Sequence, residues 1–389
     1  MRIEPLPEGW TDVHLSDICT RVQDSQQPTL GGTTPYVGLE HLAPGFPSLL
    51  GRGVDGDVTS SKAGFRAGDV LFGKLRPYLR KAAQPDFDGV CSTDILVFRN
   101  NEDYEPAYLK YLVHADEFIE HAKATTSGVQ HPRTSWSSLR EFKLSAPPRN
   151  EQRRIAHVLG TVQQAIEQQE RLIRSTTELK QAMMQKLFTE GLRGEAQKET
   201  EIGLVPVSWE VVELDDVFKF TSGKPKPRDT AAHKCAERPY PVYGGNGVMG
   251  YSAEKLLDHS TLILGRVGEY CGCAHLTEPA AWITDNALYV KEDKLQPNYQ
   301  YLRDHLDYLD LNRYSNKMGQ PLITQGIIGR VRFGLPTRKE QDAIATTLLA
   351  VKDRSRIAER KRTALQDLFR TLLHEMMTGK VRVNIPSIE

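Results

Sequence analysis

At 389 residues, with 50 basic and 50 acidic side chains, the chain is too long for a single core and carries no net charge; domains of about 100–200 residues predict two or three. No run reaches the roughly 18 apolar residues that span a bilayer, Met1-Arg2-Ile3-Glu4-Pro5 lacks a signal-peptide core, and five cysteines in so long a chain argue against a disulfide framework, so a cytosolic location is expected. Zero net charge is unusual for a nucleic-acid binder, so any DNA contact has to rest on local clusters or on charge lent by a partner.

Along the chain, residues 1–148 alternate short apolar runs, such as Val70-Leu71-Phe72 and Ile95-Leu96-Val97-Phe98, with Gly, Pro and Asp turns. That pattern predicts a mostly β domain, with a helix over 106–121 opened by proline. Residues 149–191 hold no proline and almost no glycine, and read as one long helix. Residues 192–204 are polar and read as a linker. A second mostly β domain follows over 205–337, with Leu262-Ile263-Leu264 and Leu288-Tyr289-Val290 as strands and a helix over 297–311. A second long helix covers 338–379, and a tail covers 380–389.

The two halves are copies. Pro147-Pro148-Arg149-Asn150-Glu151-Gln152 returns as Pro336-Thr337-Arg338-Lys339-Glu340-Gln341, and the helix that follows aligns without a gap. Earlier landmarks repeat too: Pro7-Glu8-Gly9-Trp10 with Pro206-Val207-Ser208-Trp209, and Ser92-Thr93-Asp94-Ile95 with Ile283-Thr284-Asp285-Asn286. A repeat this long is a domain duplication rather than a solenoid. The β domains differ in length while the helices keep theirs, so the helices act as a ruler and the domains as exchangeable heads.

Heptad character runs through both helices. Ile155, Val162 and Met183, and Ile344, Val351, Ala358, Leu365 and Leu372, recur at multiples of seven. Val158, Ala165, Leu172 and Leu179 follow three residues later, while Gln169, Thr176, Arg354 and Lys361 interrupt the seam. A helix of about 40 residues is roughly 60 Å long, too long to be buried alone. An antiparallel coiled coil between the two copies, with a pseudo-twofold axis, is the economical expectation. The alternative is two unrelated amphipathic helices, each covering its own head.

This layout resembles the specificity subunit of type I restriction–modification enzymes. The resemblance covers most of the chain. It rests on the openings at Trp10 and Trp209, the Gly-Asp-Val-Leu-Phe-Gly-Lys-Leu-Arg-Pro-Tyr-Leu run at 68–79, Tyr243-Gly244-Gly245-Asn246-Gly247 followed by Ile263-Leu264-Gly265-Arg266-Val267-Gly268, and both Glu-Gln-x-x-Ile-Ala helix starts. It implies a fold of two mostly-β (α/β) target-recognition domains joined by the paired helices. It also implies a non-catalytic subunit in which each head reads one half of a bipartite double-stranded DNA site. The helices would set the spacing and dock two methyltransferase subunits, with restriction (motor/nuclease) subunits joining. No cofactor is expected on this chain; S-adenosylmethionine, Mg²⁺ and ATP belong to the implied partners.

Candidate DNA contacts in the first head are Lys74, Arg76, Arg80 and Lys81 around Tyr78, where cations hold phosphates and the ring packs along sugar; a solvated loop is the plain reading. In the second head Lys224, Lys226 and Arg228 form the densest cationic stretch. Arg266 matches Lys74 and suits phosphate or guanine, while Asn246 and Gln320 suit adenine. An Asn between glycines also serves simply as a left-handed turn. The loops Thr125-Thr126-Ser127-Gly128-Val129-Gln130-His131 and Lys317-Met318-Gly319-Gln320 look equivalent, which adds Gln130. Arg149, Glu151, Gln152, Arg338, Glu340 and Gln341 are assigned to the helix–head junction or to partner docking, although Glu near a helix start is favoured by the dipole alone.

Other chemistry is poorly supported. Gly245-Asn246-Gly247-Val248-Met249-Gly250 spells a dinucleotide fingerprint but follows a proline-broken segment without the acidic residue about 20 positions on. Cys271, Cys273, Cys235, His233 and His275 lack a usual zinc spacing. No phosphate loop and no methyltransferase tetrapeptide occurs. The rival functions are a self-contained nuclease or methyltransferase and a coiled-coil scaffold with protein-binding heads.

Overall fold

The computed structural model describes residues 7–316 and 320–383. Residues 317–319 of the second candidate loop, and 384–389 of the tail, lie outside the described residues. The chain divides into two compact units, 1–170 with 359–389, and 171–358. Chain passes between them only at 170–171 and 358–359. Both crossings lie inside long helices, Arg149–Thr189 and Arg338–Met377.

In the first unit an antiparallel four-stranded sheet has the order Cys19–Arg21, Ile95–Asn100, Val70–Gly73, Ala82–Ala83. A five-stranded sheet beside it contains one parallel pair, Pro35–Val37 with Gly89–Cys91. The second unit repeats the four-stranded order with Phe218–Ser222, Ala287–Asp293, Leu262–Gly265 and Ala274–Leu276. It also repeats the parallel pair, as Tyr240–Gly244 with Trp282–Ile283. Short apolar runs bounded by turns thus became strands buried on both faces, which is why they read as continuous rather than alternating.

Three expectations change. The helix expected over 106–121 is two helices, Pro106–Leu112 and Asp116–Ala124, because Ala115 adopts an extended conformation between them. The helix expected over 297–311 runs Tyr299–Tyr308 and then gives way to a 3-10 turn over Leu311–Tyr314. Residues 192–204 are not an open linker: Gln197–Thr200 and Gly203–Pro206 form a hairpin.

The long helices bury only part of the heptad series, Ile155, Ile344 and Ala358 among it. Glu151, Gln152, Ile155, Ala156, Leu159, Gln163 and Ile166 are buried, whereas Leu179 is 49% and Leu368 45% exposed. Where a helix covers a head its apolar face follows the 3.6-residue period of a globular surface rather than a strict seam. Ile155, Leu159 and Ile166 share one core with Tyr108, Tyr111 and Phe118 of the first head and with Phe369, Leu373 and Met376 of the second helix. The start of one helix and the end of the other therefore meet in the first unit, which makes the pairing antiparallel. The second unit does the same, joining Met184, Leu187 and Phe188 to Ile344, Leu348 and the second head. Each such buried Leu or Phe contributes roughly 1.5–3 kcal/mol relative to exposure. Gly191 (φ 71) and Gly379 (φ 72), in the left-handed region, end the helices.

Each unit also buries a neutral histidine. His305 stacks on Phe188, centroids 4.5 Å apart, and Nδ1 faces the Tyr301 hydroxyl at 3.1 Å. Burial pushes its pKa down to about 3, and that of His114 down to about 4. Unfolding exposes imidazoles of ordinary pKa, about 6.5. The unfolded chain therefore binds more protons below about pH 6.5, so stability is full above that pH and falls as acid is added, by up to ~1.4 kcal/mol per pH unit for each histidine. His305→Phe is expected to flatten the acid slope of the second unit; urea midpoints at about pH 7 and about pH 5 check it.

Candidate nucleic-acid interface

Each head ties two loops together with the same backbone hydrogen bonds. In the first head Lys74 N–H donates to Asp94 C=O (2.9 Å), Arg76 N–H to Pro132 C=O (2.8 Å) and Thr134 N–H to Lys74 C=O (3.1 Å). In the second, Arg266 N–H donates to Asn286 C=O (2.9 Å), Gly268 N–H to Pro321 C=O (2.9 Å) and Ile323 N–H to Arg266 C=O (2.9 Å). The bridges Leu75 with Arg133 and Val267 with Leu322 complete the match. Left-handed backbone recurs as well: Arg76 (φ 51) and Arg80 (φ 50) correspond to Gly268 (φ 85) and Gly272 (φ 91). Non-glycine residues seldom adopt this conformation, so the turn at 76–80 is held by its surroundings.

The first candidate cluster divides in two. Arg76 and Tyr78 are exposed and Lys74 half-buried, with no side-chain hydrogen bond or ion pair among the described residues. Arg80 and Lys81 are half-buried and bonded within the head. Arg80 pairs with Asp116 at 2.6 Å and donates to His114 C=O at 3.3 Å, while the Lys81 ammonium donates to Leu39 C=O at 2.6 Å.

The structure adds Arg133, which the sequence did not single out. Its guanidinium forks onto Asp94 at 2.8 and 3.1 Å, and that bond, foremost, holds the Asp94 carboxyl below its ordinary range. The fork closes the 127–133 loop, joined by Ser127–Arg133 backbone bonds of 2.9 and 3.0 Å, and leaves Gln130 exposed at its tip. The repeated Thr-Asp pair, Thr93-Asp94 and Thr284-Asp285, was the only signal for Asp94.

In the second head Lys224, Lys226 and Arg228 are exposed. Their segment is anchored by Lys224 N–H to Ile283 C=O at 3.0 Å and by Asp229, which accepts from Ser252 Oγ (2.6 Å) and Ala253 N–H (2.8 Å). Arg266 is half-buried, with Nη1 3.0 Å from Ser222 Oγ. Gly265 allows this crowding, since a Cβ there would lie 2.3 Å from Tyr270 O and 2.5 Å from Gly245 O. Asn246 is exposed in the turn between Tyr240–Gly244 and Gly247–Ser252, where Gly247 (φ 89), not Asn246, supplies the left-handed residue. Gln320 is exposed beside Gly268. The Gly-rich hexapeptide is therefore a hairpin and not a phosphate-binding strand–helix turn.

The model of the type I restriction modification DNA specificity domain matches the chain twice, over residues 7–174 and 206–367. The chain belongs to that family. Among curated type I specificity subunits, the MjaVIII subunit of Methanocaldococcus jannaschii is 22% identical over 97% of this chain and 94% of its own. The putative MjaX subunit of the same organism is 24% identical over 98% and 96%. A crystal structure of the type I S subunit from M. genitalium superposes with TM-score 0.67 at 16% identity, over 96% of this chain and 98% of that one. A chain from work on assembly and conformational transition of the type I system gives 0.56 at 20% identity, over 97% and 100%. Both likenesses concern the fold. A type I specificity subunit is non-catalytic and directs partner methyltransferase and nuclease subunits. Among the described residues no group of three metal-ligating side chains occurs, and no helix is long and apolar enough to cross a membrane.

The junction residues of this specificity subunit form a second repeated constellation. Trp10 Nε1–H donates to Glu151 at 3.2 Å, and Trp209 Nε1–H to Glu340 at 3.3 Å. Gln152 accepts from Glu105 N–H (2.9 Å) and donates to Pro147 C=O (2.8 Å); Gln341 accepts from Asn298 N–H (2.8 Å) and donates to Pro336 C=O (2.9 Å). The end of the other helix closes each site: Arg382 on Glu151 at 2.6 and 2.8 Å, Leu192 N–H on Glu340 at 2.9 Å. Arg338 joins through Gln296 C=O at 2.7 Å, while Arg149 is exposed.

Proposed function

We propose that each head reads one half of a bipartite double-stranded DNA sequence through its tied loop pair. The first would use Lys74, Arg76, Tyr78 and Gln130, with Arg80 and Lys81 beside them and Arg133 holding the loop through Asp94; the second Lys224, Lys226, Arg228, Asn246, Arg266 and Gln320. The observation that carries this reading is the identical three-bond clasp in heads whose side chains differ. A backbone frame kept constant under variable side chains suits recognition loops mounted on a rigid scaffold. Phosphate contacts would position each head and the loop tips would reach base edges. The long helices would set half-site spacing and dock two methyltransferase subunits, with restriction subunits joining, in the cytoplasm. S-adenosylmethionine, Mg²⁺ and ATP would be bound by those partners.

Single-molecule methylome sequencing of the source cell with and without this gene tests the proposal. Loss of one bipartite methyladenine motif supports it, and an unchanged methylome in cells expressing the partners refutes it. Arg76→Ala and Arg266→Ala are each expected to lower methylation of that motif about 10–100-fold, the scale of one base or phosphate contact. Co-purification with the methyltransferase should be unchanged, because neither residue lies at a helix junction.

A further inference from the structure

The cations at the candidate interface of the second head are of two kinds. Lys224, Lys226 and Arg228 are exposed, with no side-chain hydrogen bond or ion pair among the described residues. Arg266 is half-buried and held at backbone and side chain alike. Its N–H donates to Asn286 C=O, and its C=O accepts from Ile323 N–H at 2.9 Å and from the Cys271 thiol at 3.1 Å. Its guanidinium donates from Nη1 to Ser222 Oγ at 3.0 Å, and Nε is buried without a partner among the described residues.

Those holds limit what the guanidinium can bind. With Nε buried, the edge shared by Nε and Nη2 is closed. Ser222 takes one N–H of Nη1, which leaves the other and both of Nη2. A donor from each of the two terminal nitrogens makes a fixed planar fork. Guanine matches it, with O6 and N7 as adjacent acceptors in one plane of the major groove. Adenine offers an acceptor beside a donor there, and arginine has no acceptor to answer it. A phosphate also takes a fork, but its oxygens can be met from many directions, and an unheld cation such as Lys226 suffices as a point charge.

We propose that Arg266 reads a guanine in the half-site of the second head, and that Ser222 is the positioning residue that makes this reading specific. Lys224, Lys226 and Arg228 supply phosphate contacts around it. A guanidinium held in advance loses less side-chain freedom on binding and cannot swing to a neighbouring base or phosphate. Lys74, the counterpart of Arg266 in the shared clasp, has no such holding partner among the described residues, so the device belongs to the second head alone. The inference rests on the DNA reading proposed above and deepens it by one named base.

The test is methylome sequencing of cells carrying single variants of the full chain, with methyltransferase co-purification to show that each assembles. Arg266→Ala should let methylation spread to sites that differ from the natural motif at one G·C pair, with discrimination there falling about 5–150-fold. Ser222→Ala should relax the same pair about tenfold, the scale of one hydrogen bond to a charged group, while Ser222→Thr, which keeps the hydroxyl, retains the natural motif. Lys224→Ala should lower methylation evenly across sites and leave the motif unchanged. Even loss with Arg266→Ala, relaxation at a pair other than G·C, or full discrimination with Ser222→Ala overturns the proposal. Ser222→Cys, of nearly the same shape and a weak acceptor, takes the place of Ser222→Ala if that variant does not assemble, with the same expectation. A methylome unchanged by deleting the gene would instead sink the DNA reading itself; a motif lost on deletion but never relaxed at G·C sinks only this inference.

Discussion

Removing four residues from each long helix, after Glu170 and after Glu359, is expected to move the methylated sequence rather than abolish methylation. The chain crosses between its two units only at these helix midpoints, and neither core draws on 171–174 or 360–363. Four residues are about 6 Å of helix and about 40° beyond one full turn. At about 3.4 Å per base pair the half-sites should keep their bases and lie about two base pairs closer. Methylome sequencing reads both quantities at once. Unchanged spacing would mean that the helices are not the ruler, and altered half-site bases would mean that shortening disturbs the heads. Deletion in one helix alone should cost both activity and stability, because the antiparallel partners then lose register.

Glu151→Ala is expected to be the most damaging single substitution at the first junction. Its buried carboxylate is shared between the Trp10 indole and the Arg382 fork, so one truncation strips both partners. Breaking a fully buried pair costs about 3–5 kcal/mol. Arg382 is 38% exposed and can rehydrate, which brings the expected loss to about 2–3 kcal/mol. For a unit of this size that is a fall of roughly 5–10 °C in the unfolding midpoint. Arg149→Ala, two residues away and exposed, should stay within about 0.5 kcal/mol. Equal effects at the two positions would mean that Glu151 acts only through the helix dipole. The Glu151–Arg382 fork also predicts that the segment after the second helix matters: ending the chain at Lys380 should reproduce most of the Glu151→Ala loss.

How far the sequence carried differs by feature. The duplication, the mostly β heads and the two long helices are visible because repeats, turn residues and the absence of proline are local signals. The heptad predicts only part of the buried stripe: Ile155, Ile344 and Ala358 are buried, while Leu179 and Leu368 fit the heptad yet stay exposed, since the helix ends pack on heads. The candidate loops were found as basic clusters, but composition does not tell a free cation from a committed one. Arg76 and Arg80 both have left-handed backbones in one turn; only Arg80 has an aspartate within reach.

What the sequence by itself determined is the organisation: two related heads, two matched helices, and chemistry left to partners. Such features repeat or persist along neighbouring residues and survive without coordinates. Tertiary structure alone decided which charges are spent and which remain, and which helix closes which head. Those outcomes depend on groups far apart in the chain, such as Glu151 and Arg382, 231 residues apart, and on the large cost of burying a charge without its partner. The heads share a frame because backbone hydrogen bonds ignore side-chain identity.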